Sequence, residues 1–306
     1  MGVNYLSNIL ILGSTGMLGR MVSLVFSEYS DDNLFFTSRS ENKFNNELNG
    51  EKIIFNPNND NFDDLCDKIN PNFVINCIGA IKPTITEKKE SINNAISINS
   101  FFPLKISKKS ADLSFNYIQI GTDCVFSGLE GGYIETSTTD ATDVYGKTKI
   151  VGEISSKNKT LLRSSIVGPE SGSGMSLLNW FLRTEEPEVN GFIDHEWNGV
   201  TTLNFAKIVL GITKNQQTGI KLQHLVPNDR VNKYELLILF QEYFSKVVKI
   251  NDVVSENKVD RTLETIDPLA NQELWKMGGY KDIPSIRENI SELAEFKGTK
   301  KILEFK

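Results

Sequence analysis

A glycine-rich turn directly after the first apolar segment constrains the fold of this chain more than any other feature. The segment Ile9–Leu12 predicts a buried strand, and Gly13-Ser-Thr-Gly16-Met-Leu-Gly19 follows it at the start of an amphipathic stretch, 17–29. Glycines three residues apart let the turn close, let the backbone approach a pyrophosphate, and let the helix pack on the strand. The phosphate would lie at the positive end of the helix. The turn therefore predicts a dinucleotide site at this strand–helix junction.

The rest of the first half alternates short apolar runs with amphipathic stretches. The further strand candidates are Leu34–Thr37, Lys52–Phe55, Phe73–Ile78, Tyr117–Ile120 and Leu161–Val167. Helical patterns lie between them at Asn61–Ile69, Lys88–Leu113 and Val144–Lys157. Nearly continuous apolar strands separated by helices predict a parallel sheet that is covered on both faces. The predicted class is α/β, with a Rossmann-type doubly wound sheet and ligands at the carboxyl ends of the strands.

The pattern changes after about Gly168. A turn-rich break, Pro169–Gly174, precedes further helical patterns, which run over Ser176–Thr184, Leu203–Lys214, Lys233–Lys246 and Leu269–Met277. We predict a dinucleotide-binding domain over residues 1–168 and a smaller, mostly helical substrate-binding cap over 169–306, with segments of the second returning to the first. The lysine-rich end, Lys297–Lys306, is predicted to be a solvated tail.

Composition excludes several classes of function. A net charge of −6 argues against nucleic acid as the main partner, and no apolar run approaches the ~20 residues that span a bilayer. The first residues enter an apolar strand without a basic segment, so we expect no signal peptide. Three scattered cysteines suit a reducing cytoplasm, and two histidines make a histidine-rich metal site improbable. We expect a cytoplasmic protein without a metal ion.

The end of the second predicted strand indicates which dinucleotide binds. Sites that prefer NAD usually place an acidic side chain there to accept hydrogen bonds from the ribose hydroxyls. This chain has Thr37-Ser38-Arg39-Ser40 and no acid. Arg39 would attract a 2′-phosphate, and Ser38 and Ser40 would add donors. The sequence favours NADP(H), with NADH as the alternative cofactor.

A tyrosine and a lysine four residues apart suggest the chemistry. In Tyr145-Gly-Lys-Thr-Lys149 the spacing puts both side chains on one face of a helix. A lysine ammonium beside a phenol favours the phenolate, so the tyrosine could transfer a proton near neutral pH. Thr122, at the end of the fifth strand, could hold a carbonyl oxygen. With a bound nicotinamide, this set can reduce a ketone or oxidise an alcohol.

These motifs together resemble an extended short-chain dehydrogenase/reductase of the dTDP-4-dehydrorhamnose reductase family. The matching segments are Gly13–Gly19, Asn76-Cys-Ile-Gly-Ala80, Asn99 with Pro103, Thr122–Gly128, Tyr145–Lys149, Arg163–Pro169 and Asn198–Thr202. The resemblance covers most of the chain and is most specific over the first 170 or so residues. It implies a two-domain fold and NAD(P)H-dependent reduction of the 4-keto group of a nucleotide-linked 6-deoxysugar, either dTDP-linked or UDP-linked. The oligomeric state is left open, with a homodimer as one possibility.

The resemblance also implies a set of site residues. Thr122, Tyr145 and Lys149 match the catalytic positions, with Tyr145 and Lys149 also contacting the cofactor. The remaining predicted cofactor contacts are Gly13, Ser14, Thr15, Gly16, Met17, Leu18, Gly19, Ser38, Arg39, Ser40, Cys77, Ile78, Gly79 and Asn99. The predicted substrate contacts are Lys82, Asp123, Cys124, Val125, Arg163, His195 and Trp197. Candidates for the diphosphate are Lys82, Arg163, Arg183, Arg230 and Arg261.

Cys124 departs from the pattern of family members that only reduce, which carry a tyrosine there. The related GDP-L-fucose synthases and bifunctional epimerase/reductases have a cysteine at this position, where it acts as an acid during epimerisation. Because a 4-keto group acidifies the neighbouring C–H bonds, Cys124 suggests a second, 3- or 3,5-epimerase activity. A small buried residue at a strand end is the alternative explanation. The partner base is unassigned: His195 is a candidate, whereas His224 is expected to be structural.

Two other functions remain open at this point. The same fold serves as the non-catalytic β subunit of methionine adenosyltransferase, which binds NADP and a partner enzyme. Retention of Thr122, Tyr145 and Lys149 favours an enzyme over that role. A reductase of a sugar free of nucleotide is a third alternative. Among nucleotide sugars, the departure at Cys124 from the dTDP-rhamnose pattern favours UDP-linked substrates slightly.

Overall fold

The computed structural model describes residues 6–41, 48–154, 156–172 and 174–304. Seven parallel strands form one sheet in the order β11-β6-β5-β4-β1-β2-β3. The strands are β1 (Asn8–Leu12), β2 (Asn33–Ser38), β3 (Glu51–Ile54), β4 (Phe73–Asn76), β5 (Asn116–Gly121), β6 (Lys159–Arg163) and β11 (Leu222–His224). The strand order reverses beside β1, so the carboxyl ends of β1 and β4 border a crevice where ligands bind in such sheets.

Helices cover both faces of the sheet. Those of the first half are α1 (Met17–Tyr29), α2 (Phe62–Ile69), α3 (Lys89–Ile96), α4 (Phe102–Leu113) and α5 (Val144–Gly152). Alternate residues of β1 point to opposite layers, as the two-residue period of a strand requires. Ile9 packs in the same cluster as Phe26 of α1, whereas Leu10 packs with Phe62 of α2 and Phe102 of α4. The doubly wound α/β fold predicted from the sequence is confirmed.

Some element boundaries differ from those predicted. The pattern over 88–113 forms two helices, α3 and α4, joined by a π-helical turn at Ser97–Phe101. The helix predicted to reach Lys157 ends at Gly152. The apolar run 161–167 is divided, because the chain leaves the main sheet after Arg163 and forms a second short strand, β7 (Ile166–Val167), which pairs with β10 (Val200–Thr201).

The second half contains helices and several short strands. Its helices are α6 (Leu177–Arg183), α7 (Thr202–Lys214), α8 (Lys233–Tyr243), α9 (Pro268–Met277), α10 (Ile286–Glu295) and α11 (Lys297–Glu304). Its remaining strands are β8 (Glu188–Phe192), β9 (His195–Trp197), β12 (Val231–Asn232), β13 (Lys249–Val253) and β14 (Val259–Asp260). Strand β11 joins the main sheet beside β6, and α7 packs on α1. Strands β12, β9 and β14 form a separate three-stranded sheet.

The predicted solvated tail is wrong over its described part. Residues Lys297–Glu304 form α11, and Thr299 and Ile302 are buried. These two residues are three positions apart and therefore share one face of the helix, which packs against α1, while Lys300 and Lys301 are exposed. Residues 305 and 306 of the predicted tail lie outside the described residues. Among the described residues, none of the helices combines the length and apolar character that crossing a bilayer requires.

Candidate active site

Two glycines set the shape of the turn after β1. Gly13 has φ +76°, and a Cβ on it would lie 2.7 Å from Cγ1 of Ile78. A Cβ on Gly19 would lie 2.0 Å from the carbonyl oxygen of Gly13. Any side chain at either position would therefore push the turn away from α1 or from the loop after β4. Close approach of backbone to backbone leaves the N-terminus of α1 open to a ligand.

The turn is held to the end of β2 by hydrogen bonds. The Gly13 amide donates to the Thr37 hydroxyl over 3.0 Å, and the buried Ser14 hydroxyl donates to the Thr37 carbonyl over 2.8 Å. The Thr15 and Ser38 hydroxyl oxygens are 3.4 Å apart. The Ser14 side chain, predicted to contact the cofactor, is therefore buried and hydrogen-bonded within the protein.

Helix α1 begins without a side-chain cap. Gly16 is its N-cap and forms no side-chain hydrogen bond, so the first amides of the helix have no capping acceptor. An anion at this point would accept from those amides and interact favourably with the helix dipole. Leu18 and Gly19 are buried in the packing of α1, so Leu18 could contact a phosphate only through its backbone.

A cavity of about 190 Å³ lies at the carboxyl ends of β1, β2 and β4. Its walls include Gly13, Thr15, Gly16, Ser38, Arg39, Cys77, Ile78 and Gly79. Arg39 is exposed at this cavity, whereas Ser38 is buried and its hydroxyl donates to the Ser40 carbonyl over 3.0 Å. The structure thus brings eight of the sixteen predicted cofactor residues to one cavity, with the exposed Arg39 among them.

Asn99 has a different role from the cofactor contact predicted for it. Its amide oxygen accepts from the Ala80 amide over 2.9 Å, and its amide nitrogen donates to the Ala80 carbonyl over 3.0 Å. The same nitrogen donates to the Thr148 hydroxyl over 3.2 Å. The side chain is buried, and the π-helical turn directs it between the loop after β4 and α5. Asn99 therefore fixes the cavity wall to the helix that carries Tyr145.

The three predicted catalytic residues meet at the end of β5. Thr122 follows β5 directly, and Asp143 caps α5 by accepting from the Gly146 amide over 2.8 Å. The side chains of Tyr145 and Thr122 are close enough to hydrogen-bond. The buried Lys149 ammonium donates to the carbonyl of Ile120 over 3.2 Å. The site thus contains a proton donor, a hydroxyl that can orient a carbonyl group, and a cation.

The predicted lowering of the Tyr145 pKa is wrong. Burial raises the pKa of this phenol, proximity to Cys124 raises it further, and the hydrogen bond with Thr122 only partly opposes the rise. Burial also lowers the pKa of Lys149, whose ammonium is turned toward the Ile120 carbonyl. Tyr145 is therefore protonated at neutral pH, which is the state needed to give a proton to a developing alkoxide.

A buried ion pair between Arg163 and Glu153 lies beside the site, so the predicted role of Arg163 as a substrate contact is wrong. The Arg163 guanidinium donates to Glu153 over 2.6 Å and is 2.9 Å from Nε2 of His224. The other carboxylate oxygen of Glu153 accepts from the Thr122 amide over 3.3 Å. Since Arg163 is buried and paired, it cannot reach a diphosphate. His224 is structural, as expected: it lies inside this network, and its Nδ1 is 2.7 Å from the Glu264 carbonyl oxygen.

Residues 123–125 form a single 3₁₀ turn after Thr122. The Cys124 amide donates to the Thr122 hydroxyl over 3.2 Å, and burial raises the pKa of the Cys124 thiol to about 12. Val125 points the other way, into a cluster with Phe126 and Tyr133, and is fully buried. Its prediction as a substrate contact is therefore wrong, because a turn of this type sends successive side chains in different directions.

Two residues of the second half, Arg261 and Lys233, interact with this turn. Arg261 donates through Nε to the Phe126 carbonyl over 2.9 Å and through Nη2 to the Ser127 carbonyl over 3.0 Å. Lys233 lies 5.3 Å from the centroid of the Trp197 ring and interacts electrostatically with Asp123 and Cys124. Lys233 was not among the predicted site residues. The Asn232-Lys-Tyr-Glu235 capping box predicts that a helix starts at this lysine, but nothing local in the sequence indicates which site that helix reaches.

Other predicted substrate residues are placed as follows. Trp197 is buried and its indole N–H donates to the Ser165 hydroxyl over 2.9 Å, so it is a core residue and cannot stack on a ligand. His195 lines a separate cavity of about 320 Å³ with Trp180 and Lys233. Lys82 forms an exposed ion pair with Asp143, the cap of α5, over 2.7 Å.

The remaining arginine candidates are Arg230 and Arg183. Arg230 is exposed, and Arg183 donates to the Gly172 carbonyl. The described part of the chain contains no group of three or more His, Cys, Asp or Glu side chains arranged to hold a metal ion.

The fold, the glycine cavity and the Thr-Tyr-Lys set define an extended short-chain dehydrogenase/reductase. The family model described as the RmlD substrate binding domain matches residues 7–294, so the chain belongs to that family. The resemblance to dTDP-4-dehydrorhamnose reductases stated from the motifs is confirmed.

Several known proteins are similar to this chain in sequence or in structure. Methionine adenosyltransferase 2 subunit beta of Xenopus tropicalis is 25% identical over 301 residues, covering 92% of this chain and 86% of that protein. A dTDP-4-keto-6-deoxy-D-glucose reductase of Streptomyces niveus is 22% identical, covering 69% of this chain and 70% of its own length. The crystal structure of dTDP-4-dehydrorhamnose reductase from Bacillus anthracis in complex with NADP has a TM-score of 0.69 at 16% identity, covering 94% and 99% of the two chains.

Proposed function

We propose that this chain reduces the 4-keto group of a nucleotide-linked 4-keto-6-deoxysugar with NADPH. The observation that carries the proposal is the meeting of Thr122, Tyr145 and Lys149 at the sheet edge that also forms the glycine cavity. Reduction of a ketone requires a proton donor beside the keto oxygen, and a protonated tyrosine at this edge of the sheet supplies one.

The residues present fit a nicotinamide dinucleotide. Gly13 and Gly19 allow a close backbone approach that any Cβ would block, and the uncapped start of α1 offers amides to a pyrophosphate. Arg39 is exposed at the end of β2, and none of the described residues that line this cavity is acidic, which favours the 2′-phosphate of NADP(H). When bound, the reduced nicotinamide supplies the hydride.

Residues of the chain supply the proton and orient the keto group of the substrate. Thr122 donates a hydrogen bond to the substrate's 4-keto oxygen and orients it. Tyr145, whose raised pKa keeps it protonated, gives its proton to that oxygen as the alkoxide forms. Lys149 places a positive charge near the developing phenolate. The Glu153–Arg163 pair holds the Thr122 backbone, and Asn99 holds α5.

The second half would bind the rest of the nucleotide sugar. Arg261 and Lys82 lie near the turn that carries Cys124 and are the cations we assign to the diphosphate. The cavity between Trp180, Phe192 and His195 has aromatic walls suited to the nucleotide base. We propose a UDP- or dTDP-linked sugar, with UDP tested first. We further propose that residues 1–168 bind the cofactor and 169–306 the substrate, in a cytoplasmic protein that forms homodimers.

The test is NADPH oxidation, followed by nicotinamide absorbance, with freshly prepared UDP- and dTDP-4-keto-6-deoxysugars. Turnover with one nucleotide and not the other supports the reductase and identifies the nucleotide. NADPH binding without turnover of any sugar in the panel contradicts it. A parallel assay with NADH measures the cofactor preference.

The similarity to methionine adenosyltransferase β subunits favours one second candidate, a regulatory subunit. In that case the chain would bind NADP and form a stable complex with a partner enzyme without reducing any sugar. Co-purification of a stoichiometric partner, together with no detectable NADPH oxidation in the assay, would favour this role.

A further inference from the structure

The carboxyl ends of three neighbouring strands place Gly121, Arg163 and His224 side by side. Gly121 of β5 is the register partner of Arg163 of β6, and Arg163 is the register partner of His224 of β11. A Cβ on Gly121 would lie 2.7 Å from Oε1 of Glu153, so a glycine at this position leaves space for that carboxylate. The register of the sheet therefore connects His224, through Arg163 and Glu153, to the residue that follows Gly121, which is Thr122.

Each link of this connection is a direct hydrogen bond. Nε2 of His224 is 2.9 Å from Nη1 of Arg163, and Nη2 of Arg163 donates to Oε2 of Glu153 over 2.6 Å. Oε1 of Glu153 accepts from the Thr122 amide over 3.3 Å. Among the described residues, no acceptor lies at Nε of Arg163, so the hydrogen bonds of this buried guanidinium depend on His224 and Glu153.

The partners of the His224 imidazole fix its protonation state. A guanidinium only donates, so Nε2 of His224 must be the unprotonated nitrogen that accepts from Arg163. Nδ1 is 2.7 Å from the carbonyl oxygen of Glu264, which only accepts, so Nδ1 carries the hydrogen. His224 is fully buried and is therefore neutral, with its one ring proton on Nδ1.

The charged groups around His224 come from several elements. Arg163 faces it from β6, and Glu153 interacts with it from the end of α5. The carboxylate of Glu135, in the loop before α5, accepts from the His224 amide over 2.8 Å. Helix α9 also packs against β11, and its two charged residues form an exposed ion pair with each other: Glu273 and Lys276. Arg163 is thus the cation in contact with the imidazole.

Protonation of His224 at Nε2 would break its contact with Arg163. An N–H would then point at a guanidinium N–H group 2.9 Å away, and two positive charges would be adjacent. Burial lowers the pKa of His224 from its usual 6.5, Arg163 lowers it further, and Glu135 and Glu153 partly oppose the shift. The contact is therefore intact at neutral pH and is lost as the pH falls below 6.5.

We propose that neutral His224 is a positioning residue for the reduction, which holds Thr122 against the keto group of the substrate through Arg163 and Glu153. This inference rests on the proposed function, because Thr122 orients a keto oxygen only in that reaction. When His224 is protonated, Arg163 loses an acceptor, and the carboxylate that holds the Thr122 amide moves with it. Turnover therefore falls at acid pH, although Tyr145 is still protonated there and able to give its proton.

The first test observes the imidazole itself, by NMR of the protein labelled with ¹⁵N-histidine. The chain contains two histidines, so spectra of His224→Gln and His195→Gln assign both signals. We expect His224 to carry its proton on Nδ1 at neutral pH and to titrate only below pH 6.5. A proton on Nε2, or a charged ring at neutral pH, would overturn the inference whatever the substrate is.

The second test is the pH dependence of kcat and KM for a sugar that wild type reduces. Below the pKa of His224, the kcat of wild type should fall by about tenfold per pH unit, because only the neutral form positions Thr122, while KM changes little. His224→Leu removes the acceptor for Arg163, so its kcat should be low at every pH. Glutamine can accept from Arg163 but does not titrate, so His224→Gln should restore turnover relative to His224→Leu and lack the fall at acid pH.

Lys221→Gln is the matched control, because this exposed lysine directly precedes β11, and it should show the acid fall of wild type. Urea unfolding at each pH shows that every variant is folded where it is assayed. A His224 that served stability alone would lower the free energy of unfolding and leave the pH profile of kcat unchanged.

Two kinetic results would overturn the inference without affecting the reductase. One is an acid fall that persists in His224→Gln, and the other is a wild-type kcat in folded His224→Leu. Failure of the proposed function is distinguishable, since wild type would then reduce no 4-keto sugar in the panel, while the protonation state of His224 would still be read by NMR.

Discussion

Glu153 and Arg163 form an ion pair beneath the active site, with an Nη2–Oε2 distance of 2.6 Å and side-chain exposures of 7% and 4%. Removing one partner of such a pair leaves a buried charge uncompensated. We expect Arg163→Met to lower the free energy of unfolding by about 3–5 kcal/mol. Urea unfolding measures this, and Glu153→Gln combined with Arg163→Met should recover part of the loss.

The same variants distinguish a structural role from a substrate contact. If Arg163 supports Thr122 through Glu153, Arg163→Met lowers kcat and leaves KM for the sugar nearly unchanged. A large rise in KM with unchanged stability would contradict the assignment of Arg163 to the interior.

The hydrogen bonds of Asn99 connect the cavity wall at Ala80 to α5, the helix that carries Tyr145. Asn99→Ala removes three buried hydrogen bonds to Ala80 and Thr148, so we expect a loss of about 1–3 kcal/mol in stability. Because α5 is then less firmly placed, kcat should fall as well. Asn93→Ala, at an exposed residue of α3, is the control, and equal effects in both variants would count against this role.

Because Lys159 is buried, we expect the free energy of unfolding to rise with pH. It is fully buried, donates to the carbonyls of Gly152 and Ile154, and has a pKa lowered by burial from 10.5 to about 8. Between these two values the unfolded chain holds a proton that the folded chain has lost, so raising the pH favours the folded state.

Denaturation of wild type between pH 8 and 10.5, compared with Lys159→Met, isolates this contribution. The stability of the variant relative to wild type should fall as the pH rises through that window. A difference that does not change with pH would show that Lys159 remains charged in the folded protein.

Arg39 predicts the cofactor preference. Arg39→Asp replaces the exposed cation at the end of β2 with an acid, so it removes the partner of a 2′-phosphate and adds an acceptor for ribose hydroxyls. We expect the ratio of kcat/KM for NADPH over NADH to fall by roughly 10- to 100-fold, as loss of a charged hydrogen bond implies. Arg287→Ala, on the surface of α10, should leave the ratio unchanged.

The sheet and the cofactor turn were predictable because their signals are local. Strand β1 and the turn Gly13–Gly19 are read from consecutive residues, and Tyr145 and Lys149 share a helix face through spacing alone. Lys233 and Arg261 could not be placed in this way. Their positions follow from the pairing of β9 with β12 and β14, strands that are far apart in sequence.

Burial explains the other errors. Arg163, Val125 and Trp197 have side chains that could serve a ligand, and their sequence neighbourhood gives no sign that they point inward. The interior position of each follows from contacts made across the fold: Glu153 for Arg163, Tyr133 for Val125 and Ser165 for Trp197. The raised pKa of Tyr145 has the same origin, since its main cause is burial of the phenol.

The measurement that tests the central claim most directly is single-turnover NADPH oxidation by Tyr145→Phe beside wild type, with a UDP- or dTDP-4-keto-6-deoxysugar that wild type reduces. Tyr29→Phe, at an exposed tyrosine of α1, is the control. The account predicts that Tyr145→Phe binds NADPH as wild type does and loses about 10²-fold or more of the reduction rate. Reduction at the wild-type rate by Tyr145→Phe would contradict it.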